Sequence, residues 1–213
     1  MAAVQTVPRM LAEAPLQSRT AEVCLAAVQK DGAALQWVPE ELKTPELCAE
    51  AMKCSGEALN FVPDALKTAE TCLAAVRWNG WALNYVPEAL KTPEMCLEAV
   101  RQTGRALRYV PEELRTEELC LEAVRTYGEA VRDVPAKLKT ADLCMEAVRQ
   151  NGIALWCVPD ELKTPEICLA AVRQNVAAFV SVPWSMEDYV KAMLNKEKEA
   201  QTASRQTAGE APA

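Results

Sequence analysis

The sequence predicts an all-α fold: an α-solenoid of seven 24-residue helix–turn–short-helix repeats, closed by an N-terminal and a C-terminal cap. Three observations predict it. Threonine recurs in an unbroken register, at Thr20, Thr44, Thr68, Thr92, Thr116, Thr140 and Thr164. A cysteine follows each threonine by four residues, at Cys24, Cys48, Cys72, Cys96, Cys120, Cys144 and Cys168. A proline ends each unit, from Pro39 to Pro183, and a glycine divides each one from Gly32 to Gly152, with Val176 in that slot of the last.

The elements follow in chain order. In residues 1–19, Pro15 is in register with the proline column, so this segment reads as a half-repeat that caps the N-terminus. Residues 20–183 hold the seven repeats, the last one degenerate. Each threonine is a helix N-cap whose hydroxyl accepts from an orphaned first-turn amide. Pro45, Pro93 and Pro165 stand at the first helical position, where a missing N–H costs nothing. In the unit opened by Thr92, Cys96, Ala99 and Val100 make the apolar stripe of a helix. Arg101 complements the negative end of that helix, and Gly104 is expected to close it through a left-handed turn. Ala106, Leu107 and Val110 mark one face of a shorter helix, which Pro111 ends by disfavouring α geometry at Val110. Residues 111–114 read as one tight turn suited to 3₁₀ geometry. No such unit buries its apolar face alone, so neighbours must stack. Residues 184–200 form a capping helix with Met186, Tyr189, Val190, Met193 and Leu194 on one side. Residues 201–213 have almost no bulky apolar side chain and are expected to form a disordered tail.

Composition narrows the function classes. Half of the 213 residues are hydrophobic, enough for a sizeable core, and the net charge is −7. An acidic balance disfavours nucleic acid and anionic membrane surfaces as partners. No run approaches the length of a membrane span, and residues 1–16 make a poor secretory signal. Nine cysteines without a secretory signal point to a reducing cytoplasm rather than a disulfide framework. Histidine is absent, which removes the commonest general base and metal ligand.

Two stretches, CLAAVRWNGWALNYVPEALK (Cys72 to Lys91) and CMEAVRQNGIALWCVPDELK (Cys144 to Lys163), carry a resemblance. Each has an apolar helix, an Asn-Gly bend, a short helix with an aromatic residue and a turn ending in Glu or Ala, Leu and Lys. This pattern resembles the bacterial helical-repeat family catalogued as domain of unknown function 4116, over roughly residues 20–183. The uniform cysteine column and the proline after valine depart from that family's pattern. A looser resemblance is to leucine-rich repeat variant proteins, which alternate α and 3₁₀ helices in 24-residue units. The first resemblance implies a helical repeat fold and no particular activity.

The candidate functional residues are those that vary while the rest repeats. Seven evenly spaced cysteines are too far apart across packed helices for a disulfide or a shared zinc, so they read as core thiols. Cys54 and Cys157 lie outside that column and read as exposed or incidental thiols. A basic column, Lys53, Arg77, Arg101, Arg125, Arg149 and Arg173, is expected to pair with Glu50, Glu98, Glu122 and Glu146 three residues earlier. A second column, Lys43, Lys67, Lys91, Arg115, Lys139 and Lys163, is read in the same way.

The aromatic residues are more informative. Trp37, Phe61, Tyr85 and Tyr109 share one slot, which becomes Asp133, Cys157 and Ser181 further on. A strict core position would keep its aromatic, so the slot is placed on the border between core and solvent. Trp78 and Trp81 flank one bend, and Arg105 and Arg108 vary nearby. Aromatics and arginine dominate binding hot spots. The expectation is a non-enzymatic protein- or peptide-binding scaffold, monomeric, with no cofactor or metal, whose partner surface includes Trp37, Phe61, Trp78, Trp81, Tyr85, Arg105, Arg108 and Tyr109. The alternative is an assembly protein that stacks end to end. An enzyme or an RNA binder fits less well, because no nucleophile motif, phosphate loop or basic excess is present.

Overall fold

The computed structural model describes residues 10–209. Among these the α-helices are α1 (Met10–Glu13), α2 (Ala21–Lys30), α3 (Pro45–Cys54), α4 (Ala69–Trp78), α5 (Pro93–Gln102), α6 (Glu117–Thr126), α7 (Ala141–Gln150), α8 (Pro165–Gln174) and α9 (Trp184–Gly209), and no strand is present. The molecule is an all-α repeat fold of the solenoid class.

Threonine starts the helices as the pattern predicts. The hydroxyls of Thr20, Thr44, Thr68, Thr92, Thr116, Thr140 and Thr164 accept from the amides of Val23, Leu47, Thr71, Met95, Leu119, Leu143 and Ile167 at 3.2–3.4 Å. Each of α2 to α8 is followed by a six-residue 3₁₀ helix: Gly32–Trp37, Gly56–Phe61, Gly80–Tyr85, Gly104–Tyr109, Gly128–Asp133, Gly152–Cys157 and Val176–Ser181. The short helix of each repeat is therefore 3₁₀. It opens on a residue such as Asn79 or Asn151, whose side chain accepts from the amide two residues on. It closes at a valine held extended by the next proline, as Val86 is before Pro87. A single 3₁₀ turn follows each proline from Pro39 to Pro159, and Leu16–Ser18 repeats it after Pro15.

The chain divides into two compact units, Met1–Leu119 and Cys120–Ala213, the division falling within α6. In the first unit α2, α3, α4 and α5 pack each on the next, and so do the four 3₁₀ helices from Gly32–Trp37 to Gly104–Tyr109. In the second unit α7, α8 and α9 pack in succession, and so do the 3₁₀ helices Gly128–Asp133, Gly152–Cys157 and Val176–Ser181. The core lies between the α layer and the 3₁₀ layer. Cys24, Ala27 and Val28 of α2 meet it from one side and Ala34, Leu35 and Val38 from the other, all buried, and the same positions are buried in later repeats apart from the half-buried Phe179 of the last. Burying one such leucine stabilises the fold by about 1.5–3 kcal/mol.

Two expectations change here. Gly104 does not close its helix through a left-handed turn, because no described glycine has a positive φ. Thr103 ends α5 in an extended conformation, and Gly104 begins the 3₁₀ helix. The C-terminal helix also runs past residue 200 to Gly209, so residues 201–209 are helical rather than disordered. Residues 1–9 of the N-terminal cap and residues 210–213 of the expected tail lie outside the described residues.

Candidate interaction surface

Contacts between repeats show which positions are committed to the scaffold. The glycines serve close approach. A Cβ at Gly80 would lie 2.7 Å from the carbonyl oxygen of Ala99 in the next helix, and one at Gly128 2.5 Å from that of Ala147. Gly32 and Gly152 approach Ala51 and Ala171 more closely still. A glutamine at the end of the next helix seals this approach. Gln102 Oε1 accepts from the Gly80 amide at 2.8 Å, while its Nε2 donates to the carbonyls of Val76 and Arg77 at 2.9 and 3.1 Å. Gln150 and Gln174 accept from Gly128 and Gly152 at 2.7 and 2.6 Å. Sequence reading did not single out this column.

The first cation column differs from expectation. Only Lys53 makes the anticipated pair within its own helix among the pairs seen, with Glu50 at 2.7 Å. Arg77 reaches Glu94 at 3.2 Å, Arg125 reaches Glu146 at 3.7 Å, and Arg173 reaches Glu197, each carboxylate belonging to the next helix. An arginine near a helix C-terminus faces the neighbour's acidic first turns or flanks more readily than its own axis. The second column pairs three residues back as expected, Lys43 with Glu40, Lys67 with Asp64 and Lys163 with Asp160, and it is also enclosed: the Lys91 side chain is only 4% exposed. It pairs with Glu88, and its Nζ donates to the Tyr109 carbonyl at 2.6 Å. Arg19 likewise donates to the Trp37 carbonyl at 2.9 Å. Both cations close the C-terminal end of a neighbouring 3₁₀ helix.

The aromatic set lies in the first unit. Trp37, Phe61, Tyr85 and Tyr109 take the last position of four 3₁₀ helices that pack in sequence, and all four are half-buried. Asp133, Cys157 and Ser181 are half-buried at the same position in the second unit. The slot is thus at the border of the core, as its tolerance of polar residues predicts. Trp81 meets Tyr109 edge-on with ring centroids 6.0 Å apart, and the Arg108 guanidinium lies 5.5 Å from the Tyr109 ring centre. Arg105 and Arg108 are exposed. Trp78 stands apart from this trio at the end of α4, 42% exposed, with the Lys53 ammonium 5.8 Å from its ring centre. It occupies the glutamine slot of Gln102, Gln150 and Gln174. Opposite it, a Cβ on Gly56 would meet the Asn79 side chain instead of a helix carbonyl.

The thiol column is inert by burial. All seven of its cysteines are buried and unpaired by disulfide. Desolvation pushes the thiols of Cys24, Cys48, Cys72, Cys144 and Cys168 up, and that of Cys96 up to about 11, although Lys91 opposes the shift. Cys54 is exposed as expected, its Sγ 3.5 Å from the Gln29 carbonyl oxygen. Cys157 is half-buried rather than exposed. Among the described residues no three Cys, Asp or Glu side chains gather where a metal ion would sit. None of the described helices is long and apolar enough to cross a membrane.

The second unit has exposed apolar residues outside the expected set. Ile153 and Trp156 are exposed there, Trp156 by 62%. They share repeat positions with Trp81 and Arg108, so the varying columns themselves were the available signal. Val176, Val180 and Trp184 are exposed at the end of the repeats.

Compared with known protein families, the chain matches the model of the domain of unknown function DUF4116 over residues 21–67, 44–91, 68–115, 92–139, 116–163 and 140–186. No curated protein and no solved structure matches the chain significantly.

Proposed function

The chain belongs to the DUF4116 family, and on that premise we propose that it is a non-enzymatic repeat scaffold that binds a protein or peptide partner through its variable positions. The observation that carries this reading is the substitution at Trp78. The slot that Gln102, Gln150 and Gln174 use to clamp neighbouring repeats, and that Lys30, Cys54 and Thr126 fill in others, here holds a large, exposed aromatic side chain. An exposed tryptophan that gives up a scaffold contact has its use outside the fold. Trp81, Tyr109 and Arg108, clustered in the same unit, add a second anchor. The half-buried ladder Trp37, Phe61, Tyr85 extends it along the 3₁₀ layer.

End-to-end assembly by continued stacking is the weaker reading. It requires an incoming repeat to approach the last one as closely as Ala99 approaches Gly80. Val176 stands at that point, and its side chain fills the space a helix carbonyl needs. The chain is accordingly proposed to act as a monomer.

Replacing Trp78, Trp81 and Tyr109 together by alanine tests the reading. The variant keeps its far-ultraviolet circular dichroism and loses the partners that affinity capture recovers with the native chain. An unchanged partner set on a folded variant removes this surface from consideration.

A further inference from the structure

We propose that the cleft between α8, the 3₁₀ helix Val176–Ser181 and α9 binds a small amphipathic anion, a single carboxylate-type head on an apolar tail. The cleft has a volume of about 600 Å³, within the range of small-molecule sites. Its apolar wall is Val172, Val176, Phe179 and Leu194. The cations on it are Arg173, Lys191 and Lys198, against one carboxylate, Glu197.

The site exists because the repeat pattern stops. In the preceding repeat a glycine, Gly152, lets the next helix close over the 3₁₀ helix, and Gln174 seals the contact. In the last repeat Val176 replaces glycine, α9 packs on α8, and Val176 remains 78% exposed. The apolar wall that would have become interior is left open.

Charge selects the head group. Arg173 is matched by Glu197 across the mouth. Lys191 lies 5.1 Å from the Phe179 ring centre while bonding Glu187 at 2.9 Å, and Lys198 is exposed on the rim. With Arg173 and Lys191 ion-paired, Lys198 leaves the rim one positive charge in a chain whose net charge is −7. A second recess of about 510 Å³ also borders Arg173 and contributes Met145, Leu169 and Arg149, with Glu166 opposing.

Isothermal titration calorimetry of the full chain with dodecanoate and, separately, dodecylammonium, both below their micellar concentrations, tests the site. The two probes share a tail and differ in charge, and the acidic chain as a whole favours the cation. The expected result is one dodecanoate bound per chain and a much weaker dodecylammonium. Lys198→Glu and Val176→Asp, both at exposed positions, each weaken dodecanoate by about tenfold. Trp78→Ala leaves it unchanged, which separates this site from the aromatic surface. Equal binding of both probes, no saturable binding, or full affinity in Lys198→Glu overturns the proposal. So does a leucine- and glutamate-rich peptide that binds this cleft when dodecanoate does not, since that outcome makes it a protein-docking groove.

Discussion

At the scale of single residues, the same letter serves different ends in different slots. Cysteine in the repeated column is a small buried hydrophobe, whereas Cys54 is exposed at a helix end. Burial has a measurable consequence at Cys96. Its thiol stays protonated in the folded chain up to about pH 11, while the unfolded chain releases that proton near the ordinary thiol value. Between these two values the unfolded state binds fewer protons, so stability must fall as pH rises. The slope is about 1.4 kcal/mol per pH unit for one such proton. Urea unfolding at pH 8 and pH 10 should show a loss in the native chain that is smaller in Cys96→Ala. An identical pH dependence in the variant would mean that this thiol is not desolvated. Glycine gives a parallel lesson. Its spacing was legible in the sequence, but its reason was not. A glycine after a helix ordinarily signals backbone freedom, and close approach to a residue 19 positions away, as between Gly80 and Ala99, leaves no local trace.

At the scale of elements, what reads out of sequence is what acts within a few residues. Threonine caps, proline at the helix start, the Cys96–Ala99–Val100 stripe and the turn after Pro111 all depend on local geometry, and all stand where the pattern places them. Contacts one repeat away were opaque. Gln102 looked like an ordinary polar residue at a helix end, yet it joins α5 to α4 and to Gly80. Arg125 looked like a partner for Glu122 on its own helix and instead reaches Glu146. Lys91 read as a partner for an acidic neighbour, which it is, but its enclosure against the Tyr109 carbonyl, 18 residues on, left no local trace. Gln102→Ala removes three hydrogen bonds to the preceding repeat and strands the Gly80 amide at a part-buried position. The expected cost is about 1–3 kcal/mol, read as a shift in the urea midpoint at constant slope. Arg77→Ala, which breaks an exposed pair, should move the midpoint far less.

At the scale of the whole molecule, positions divide into two kinds. Caps, glycines, enclosed lysines and the Cys–Ala–Val core recur because each repeat must fit the next. Trp78, Trp81, Arg105, Arg108 and, further on, Ile153 and Trp156 vary because the fit does not need them. The border position of Trp37, Phe61, Tyr85 and Tyr109 was readable from the polar residues that replace them later. The exposed end at Val176, Val180 and Trp184 was readable only as a break in the columns, since burial depends on what covers a residue. The division of roles is the central claim, and two neighbours in sequence test it. Gly80 has a negative φ, so local chain entropy alone would make Gly80→Ala mildly stabilising. Packing against Ala99 predicts the opposite, a loss of about 1–3 kcal/mol. Trp78→Ala, two residues away, should stay within about 0.5 kcal/mol of the native chain. The decisive measurement is the urea unfolding free energy of these two variants side by side. A destabilised Gly80→Ala beside a near-native Trp78→Ala is the predicted result; a tolerated Gly80→Ala, or a Trp78→Ala that unfolds as readily, contradicts it.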